Sequence, residues 1–251
     1  MLPVQAYRHG WSLTCEGAGR PAPCSFPFLS SAYHELVTTH AAKCSLNSLH
    51  FIQYDFGTRH SHPPVDVVTV HQVHSARVIS NHGANHGGNS GTPRRTEDAD
   101  GLIENTPGVA IGIKTADCVP ILLADPVRRS IGAVHSGWRG TSAQIIPAAV
   151  RSMSAEFGTR PEDLHAAIGP CIGSCCYQVG PEVAREFGVI TPNSVYLDLS
   201  EINARQLQAA GVPASNISRV AECTRCNAAA YHSFRRDGQA AGRMISWIRI
   251  L

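Results

Sequence analysis

Apolar positions fall in short blocks along this chain, and the spacing inside each block predicts an element. Residues 51–56 (FIQYDF) read as a strand that ends at Gly57-Thr58-Arg59. Residues 65–79 (VDVVTVHQVHSARVI) are β-branched and alternating, which predicts one long second strand. At a period of two, His74 shares a face with Val68, Val70 and Gln72, and His71 points the other way. The apolar runs 109–113 and 131–134 are short strands; Cys118 follows the first and His135 ends the second. The period then changes. Residues 142–157 place Ile145, Ile146, Ala149, Val150 and Met153 on one helical stripe, with Thr141 and Gln144 at capping-box spacing.

Farther along, the pattern predicts a helical turn at 161–164, a strand at 166–168, a helix at 181–187, a strand at 195–199 and a helix at 200–210. A strand at 217–221, a helical stretch at 227–234 and a closing strand at 243–251 complete the chain. Strands and helices alternate through this half, which argues for an α/β architecture. No internal repeat and no linker divides the chain, so one domain is expected over 51–251. Residues 1–50 are poorly readable: Pro3, Pro21, Pro23 and Pro27 interrupt them, and only 34–42 suggests a short helix. Residues 80–100 turn to Gly, Asn, His, Ser and Arg, which reads as a loop. His82 and His86 on it are poor structural ligands, because ordering a loop costs roughly 1–2 kcal/mol per residue.

Composition narrows the class. With 251 residues and 43% hydrophobic positions the chain can bury a large core. A net charge of +2 without a block of like charge points away from nucleic acid and membrane surfaces. Nine cysteines, an odd number, without an export-type leader fit reduced thiols and a cytoplasmic setting. No apolar run reaches membrane-spanning length. Nothing in the sequence sets an oligomeric state.

The chemistry concentrates in residues 115–141 (TADCVPILLADPVRRSIGAVHSGWRGT). Cys118 admits three readings: a buried structural thiol, a nucleophile with a histidine base, or a metal ligand. His74, Cys118 and His135 together would make a three-ligand site with one position open, the pattern of catalytic zinc. Asp117 beside the thiol reads as a general base, an acceptor behind a ligand, or a turn residue bonding its own backbone. The helix start after Thr141 offers N–H groups to an anion such as phosphate.

Five segments carry a resemblance: QVHSARV, TADCVPILLADP, AVHSGWRGT, GPCIGSCCYQVG and SFRRDGQAAGRM. In this order they resemble the signatures of the YfiH-like laccase-domain family of purine nucleoside phosphorylases. The resemblance implies a layered α/β sandwich with mixed sheets and a zinc or copper ion held by His74, Cys118 and His135. It implies phosphorolysis of adenosine, inosine and methylthioadenosine, and deamination of adenosine. Purine nucleosides and phosphate are then the small-molecule partners, with Arg59 or Arg139 holding phosphate and Trp138 available to stack on a base. Other members are described as copper polyphenol oxidases or as editors of peptidoglycan precursors, the latter chemistry fitting Cys118 as an amidase nucleophile. The chain departs from the family before QVH: Gly57-Thr58-Arg59-His60 matches only the start of a Thr-Arg-x-Gly-Gly-Val-Ser stretch.

Rival metal signatures are incomplete. Pro170-Cys171 is followed by Cys175 at the wrong interval for the HxE…PCxxC nucleobase deaminases. His60-Ser61-His62 is the only H-x-H pair in a sequence that a multicopper oxidase would fill with them. Cys223-Thr224-Arg225-Cys226 has finger-like spacing, but Cys171, Cys175 and Cys176 do not repeat it, so a second, four-cysteine site is not expected.

Overall fold

The longest apolar runs form the middle of a sheet that is dry on both faces. The structure, a computed structural model, describes residues 44–81 and 94–251. The expected helix at 34–42, the loop histidines His82 and His86, and most of the poorly readable segment lie outside these residues. In chain order the strands are β1 (Ile52–Asp55), β2 (Thr69–His71), β3 (Val78–Ser80), β4 (Arg94–Asp98), β5 (Gly101–Glu104), β6 (Ala110–Thr115) and β7 (Val119–Asp125). They continue with β8 (Ser130–Ser136), β9 (His165–Ile168), β10 (Gln178–Val179), β11 (Val195–Tyr196), β12 (Ile217–Arg219) and β13 (Met244–Ile250). The helices are α1 (Trp138–Ser142), α2 (Ile145–Phe157), α3 (Pro181–Glu186), α4 (Leu199–Ala209) and α5 (Phe234–Asp237).

A mixed six-stranded sheet in the order β12-β9-β7-β8-β5-β3 forms the central layer. On one side β7 sends Val119, Ile121 and Leu123 into a cluster with Ile145, Ile146, Ala149 and Met153 of α2 and Leu207 of α4. On the other side Leu122 and Ala124 join Ile111, Ile113 and Ile248 from an antiparallel sheet, β1-β13-β6. The result is the expected layered α/β sandwich with mixed sheets. Because both faces of β7 and β8 are covered, every residue of these strands is buried, so their sequences run apolar without the alternation of a half-exposed strand. Each such Leu or Ile withdraws apolar area worth roughly 1.5–3 kcal/mol.

Several elements differ from the pattern-based expectation. The single strand expected at 65–79 is two short strands, β2 and β3, broken where His74 takes a left-handed conformation (φ 61°). Alternation persists on both sides of the break, which is why the sequence conceals it. The loop expected at 80–100 contains β4, paired in parallel with β2. The helix expected from 142 is two: α1 ends at Ser142, and Gln144 (φ 63°) turns the chain into α2. No capping box forms there, because the Thr141 hydroxyl is buried inside α1 and donates to Gly137 O. The strand at 195–199 stops at Tyr196, since Asp198 accepts from Glu201 N and caps α4. Residues 228–230 form a turn, and the helix nearby starts only after Ser233, which caps α5.

Leu122 is fully buried at the centre of the two-sided sheet. Leu122→Ala should therefore lower unfolding stability by roughly 2–5 kcal/mol, read from the denaturant midpoint at unchanged slope. A loss below about 1 kcal/mol would mean that the layer is not close-packed there.

Candidate metal centre

Three segments from different parts of the chain meet at one end of the central sheet. Cys118 occupies the turn between β6 and β7, shaped by Asp117 in a positive-φ conformation (φ 87°). His135 is the penultimate residue of β8 and is buried. His74 sits on the left-handed residue between β2 and β3. The ligand atoms of His74, Cys118 and His135 all lie within 4.8 Å of one another. Cys118 Sγ is 3.9 Å from His74 Nε2, and the two imidazoles meet edge to face with centroids 4.9 Å apart.

A buried carboxylate organises the group. Asp100, just before β5, accepts from His135 Nδ1 at 2.8 Å, which leaves Nε2 of that ring for the shared centre. The same carboxylate accepts from the backbone N–H of Val73, His74 and Ser75 and from the Ser75 hydroxyl. A left-handed residue other than glycine costs roughly 1–2 kcal/mol, and these bonds hold the His74 turn in that shape. Asp100 was not legible as a site residue, because it closes a polar segment whose composition reads as loop. Its place immediately before β5, with its carbonyl accepting from His135 N, is visible only in the fold.

Electrostatics favour ionised groups at this centre. Burial opposes ionisation of the Cys118 thiol, but the hydrogen bonds and charge of His135 and His74 outweigh it and bring the thiol down to about 6. Burial likewise disfavours the charged His135 ring, yet Asp100 and Cys118 raise it to about 9. Burial alone would push the Asp100 carboxyl up; the bonds from His135 and Ser75 carry it below the usual carboxylate range. Without an ion these shifts describe a thiolate paired with a protonated His135; zinc or copper would take the thiolate and the neutral imidazole, so binding would release the proton from His135 Nε2. Space fits as well: a Cβ added to Gly137 would lie 3.0 Å from His74 Cδ2 and 3.1 Å from Cys118 Sγ.

The other expected site residues separate into two groups. Arg139 lines the cavity in front of the centre, with its guanidinium 4.3 Å above the Trp138 ring. Arg59 instead bonds Ala228 O and His232 Nδ1 and does not line that cavity. The Asp117 carboxylate accepts from the Thr224 and Ser233 hydroxyls and from Arg235 N, so it ties the C-terminal segment to the Cys118 turn, and the acceptor behind His135 is Asp100. The N-terminus of α2, expected to meet phosphate, contributes no lining residue to this cavity. The cavity measures about 690 Å³ and has further lining from Lys114, Tyr177, Phe234, Arg235 and Arg243, none of which the sequence reading singled out. That volume lies in the range of small-molecule sites.

Comparison with known proteins converges on this region. Residues 55–251 match the family model described as multi-copper polyphenol oxidoreductase laccase. A purine nucleoside phosphorylase of Clostridium acetobutylicum is 35% identical over 191 residues, covering 73% of this chain and 76% of that protein. An adenosine deaminase from an unknown prokaryotic organism is 37% identical over 164 residues, covering 61% and 62%. The crystal structure of the Bacillus licheniformis hypothetical protein YfiH superposes with a TM-score of 0.73 at 28% identity, over 82% of this chain and 94% of that one. The chain spans from 39% to 76% of the length of curated relatives that it matches. No described helix is long and apolar enough to cross a membrane.

Two outcomes test the geometry. Asp100→Asn should weaken metal binding by roughly 10–100-fold in a competitive chelator titration, because the His135 ring loses its acceptor; unchanged affinity would remove Asp100 from the account. In chelator-treated protein, iodoacetamide should alkylate Cys118 with a midpoint near pH 6, since a lowered thiol value leaves thiolate present above it and removes it only as pH falls through about 6. A midpoint near the ordinary thiol value of 9.0 would contradict the assigned electrostatics.

Proposed function

We propose that this chain, which belongs to the family described as multi-copper polyphenol oxidoreductase laccase, is a metal-dependent purine nucleoside phosphorylase that also deaminates adenosine. The observation that carries the reading is a His-Cys-His cluster opening into a cavity lined by three arginines, Arg139, Arg235 and Arg243, and by aromatic rings. Among the described residues no other histidine joins a ligand cluster, and His60 of the single H-x-H pair bonds Ala229 O. That counts against a multi-histidine copper relay. Names carried by relatives, purine nucleoside phosphorylase and adenosine deaminase, support the substrate class.

His74, Cys118 and His135 are the residues that would hold the ion, and zinc is our assignment, because three protein ligands and an open position form the catalytic zinc pattern. Copper is the alternative for the same donors. When bound, the ion supplies Lewis-acid polarisation and orientation beside the reacting atoms. The chain's own groups do the rest. Asp100 keeps His135 in the tautomer that turns Nε2 to the centre. Arg139, with Arg235 and Arg243 on the same cavity wall, offers the charge that phosphate needs. Tyr177 and Phe234 provide rings for the purine. Phosphate oxygen then forms a bond to the ribose anomeric carbon as the bond to the base nitrogen breaks, and the base leaves with a proton. Water in place of phosphate, directed at the purine ring, would release ammonia and give the deaminated nucleoside. Asp117 acts by position, since its bonds to Thr224, Ser233 and Arg235 hold the Cys118 turn against the cavity wall.

The depressed Cys118 thiol beside His135 favours one second reading, a cysteine amidase that edits peptidoglycan precursors. The two readings separate in one experiment. Metal-loaded protein given adenosine should produce adenine and ribose 1-phosphate only when phosphate is present, and inosine without it. Cys118→Ala should abolish both, and Arg139→Ala should raise the phosphate KM by roughly tenfold, the loss of one charge-assisted contact. A covalent adduct on Cys118 with a muropeptide amide, and no turnover of nucleosides, would replace the phosphorylase with the amidase.

A further inference from the structure

Behind the Cys118 turn the fold gathers a second set of metal-binding side chains that the function above does not use. Cys175 and Cys176 lie on the loop after β9, and Cys223 and Cys226 on the turn after β12. The four sulfurs all lie within 4.8 Å of one another. Cys226 Sγ is 3.7 Å from Cys175 Sγ and 3.4 Å from Cys176 Sγ. Four thiolates around one zinc at 2.3 Å stand about 3.8 Å apart along each edge of the tetrahedron, so these separations are those of ligands, not of a bonded pair. The sequence argued against such a site because only 223–226 has C-x-x-C spacing. The fold supplies the missing pair from adjacent residues instead.

The surroundings are those of a thiolate cage. Gly173 N donates to Cys223 Sγ at 3.3 Å, and Arg225 Nη1 lies 3.5 Å from Cys176 Sγ. Such donors offset the negative charge that four thiolates keep around a divalent ion. A short backbone bridge between Cys171 and Cys223, with Thr224 N donating to Cys171 O, sets the two segments side by side. We propose that Cys175, Cys176, Cys223 and Cys226 bind one structural zinc ion, closed to substrate and distinct from the His74, Cys118 and His135 centre. Binding displaces the four thiol protons to solvent and involves no electron transfer. The ion clasps the loop that carries Ile172 and Tyr177 to the turn that carries Thr224. Through Thr224 Oγ1 to Asp117 and Ile172 N to Asp117 O, the clasp reaches the Cys118 turn.

The site is tested on the full chain, purified under reducing conditions from zinc-supplemented cells, by native mass spectrometry and elemental analysis. The His74→Ala/Cys118→Ala variant should retain one zinc per chain, because it removes only the other centre. Cys223→Ser/Cys226→Ser should lose that equivalent and unfold at lower temperature. Should this second variant fail to fold, cobalt exchanged into the His74→Ala/Cys118→Ala protein gives an independent readout, the intense thiolate-to-cobalt absorption of a tetrahedral four-sulfur site. No zinc in the His74→Ala/Cys118→Ala protein, a visible iron–sulfur spectrum, or a mass two hydrogen atoms lighter from a disulfide among the four cysteines would each overturn the proposal.

Discussion

One carboxylate holds the site together. Asp100 is fully buried, yet each of its oxygens is occupied: Oδ1 by the His135 ring and His74 N, Oδ2 by Ser75 N, the Ser75 hydroxyl and Val73 N. A buried charge is tolerated only when its lone pairs are filled, and here the partners that fill them are the two segments that deliver the histidines. Its own backbone adds to the junction, because Asp100 N donates to Arg77 O and Asp100 O accepts from His135 N. The left-handed turn at His74 and the orientation of His135 both depend on that one residue, and those two rings in turn depress the Cys118 thiol.

The layers supply the rigidity that such a junction needs. β7 and β8 are paired along their full length, from Val119 with Ser136 to Asp125 with Ser130, so the strand that follows Cys118 and the strand that carries His135 keep a fixed register. Packing on both faces leaves them little freedom to shift. The cavity wall, by contrast, is assembled from many elements, and its C-terminal part, with Phe234 and Arg235, is tied to the Cys118 turn through Asp117. A precise ligand set on paired strands with a separately anchored wall is the arrangement that preorganised sites demand.

Much of this was readable from residue pattern. Strand β8, the closing strand β13, the stripe of α2 and the span of α4 follow from apolar spacing, because burial dictates residue type there, whereas β7 was not marked out as a strand. The pairing of Cys118 with His135 was readable because each ends an apolar run. What escaped the sequence depends on backbone conformation or on long-range contacts. Nothing in VTVHQVHSARV marks His74 as left-handed, since the acceptor that stabilises its turn is the Asp100 carboxylate, distant in sequence. His74 was assigned to the site through the family resemblance and a strand-face argument, and the face argument rested on a strand that ends at His71. The role expected of Asp117, an acceptor behind a candidate ligand, fell to Asp100 for a similar reason: adjacency to Cys118 along the chain does not aim a carboxylate at His135. Arg59 was placed by its family motif, whereas the cavity draws its arginines from Arg139 and from the C-terminal residues Arg235 and Arg243.

The central claim is that His74, Cys118 and His135 together hold the ion on which nucleoside cleavage depends. Its most direct test returns zinc stepwise to chelator-stripped protein while ribose 1-phosphate formation from adenosine and phosphate is followed, in the wild type and in His135→Ala. Activity should rise with bound metal in the wild type and stay at background in the variant at every metal level. A folded His135→Ala protein that turns over adenosine at the wild-type rate would contradict the account.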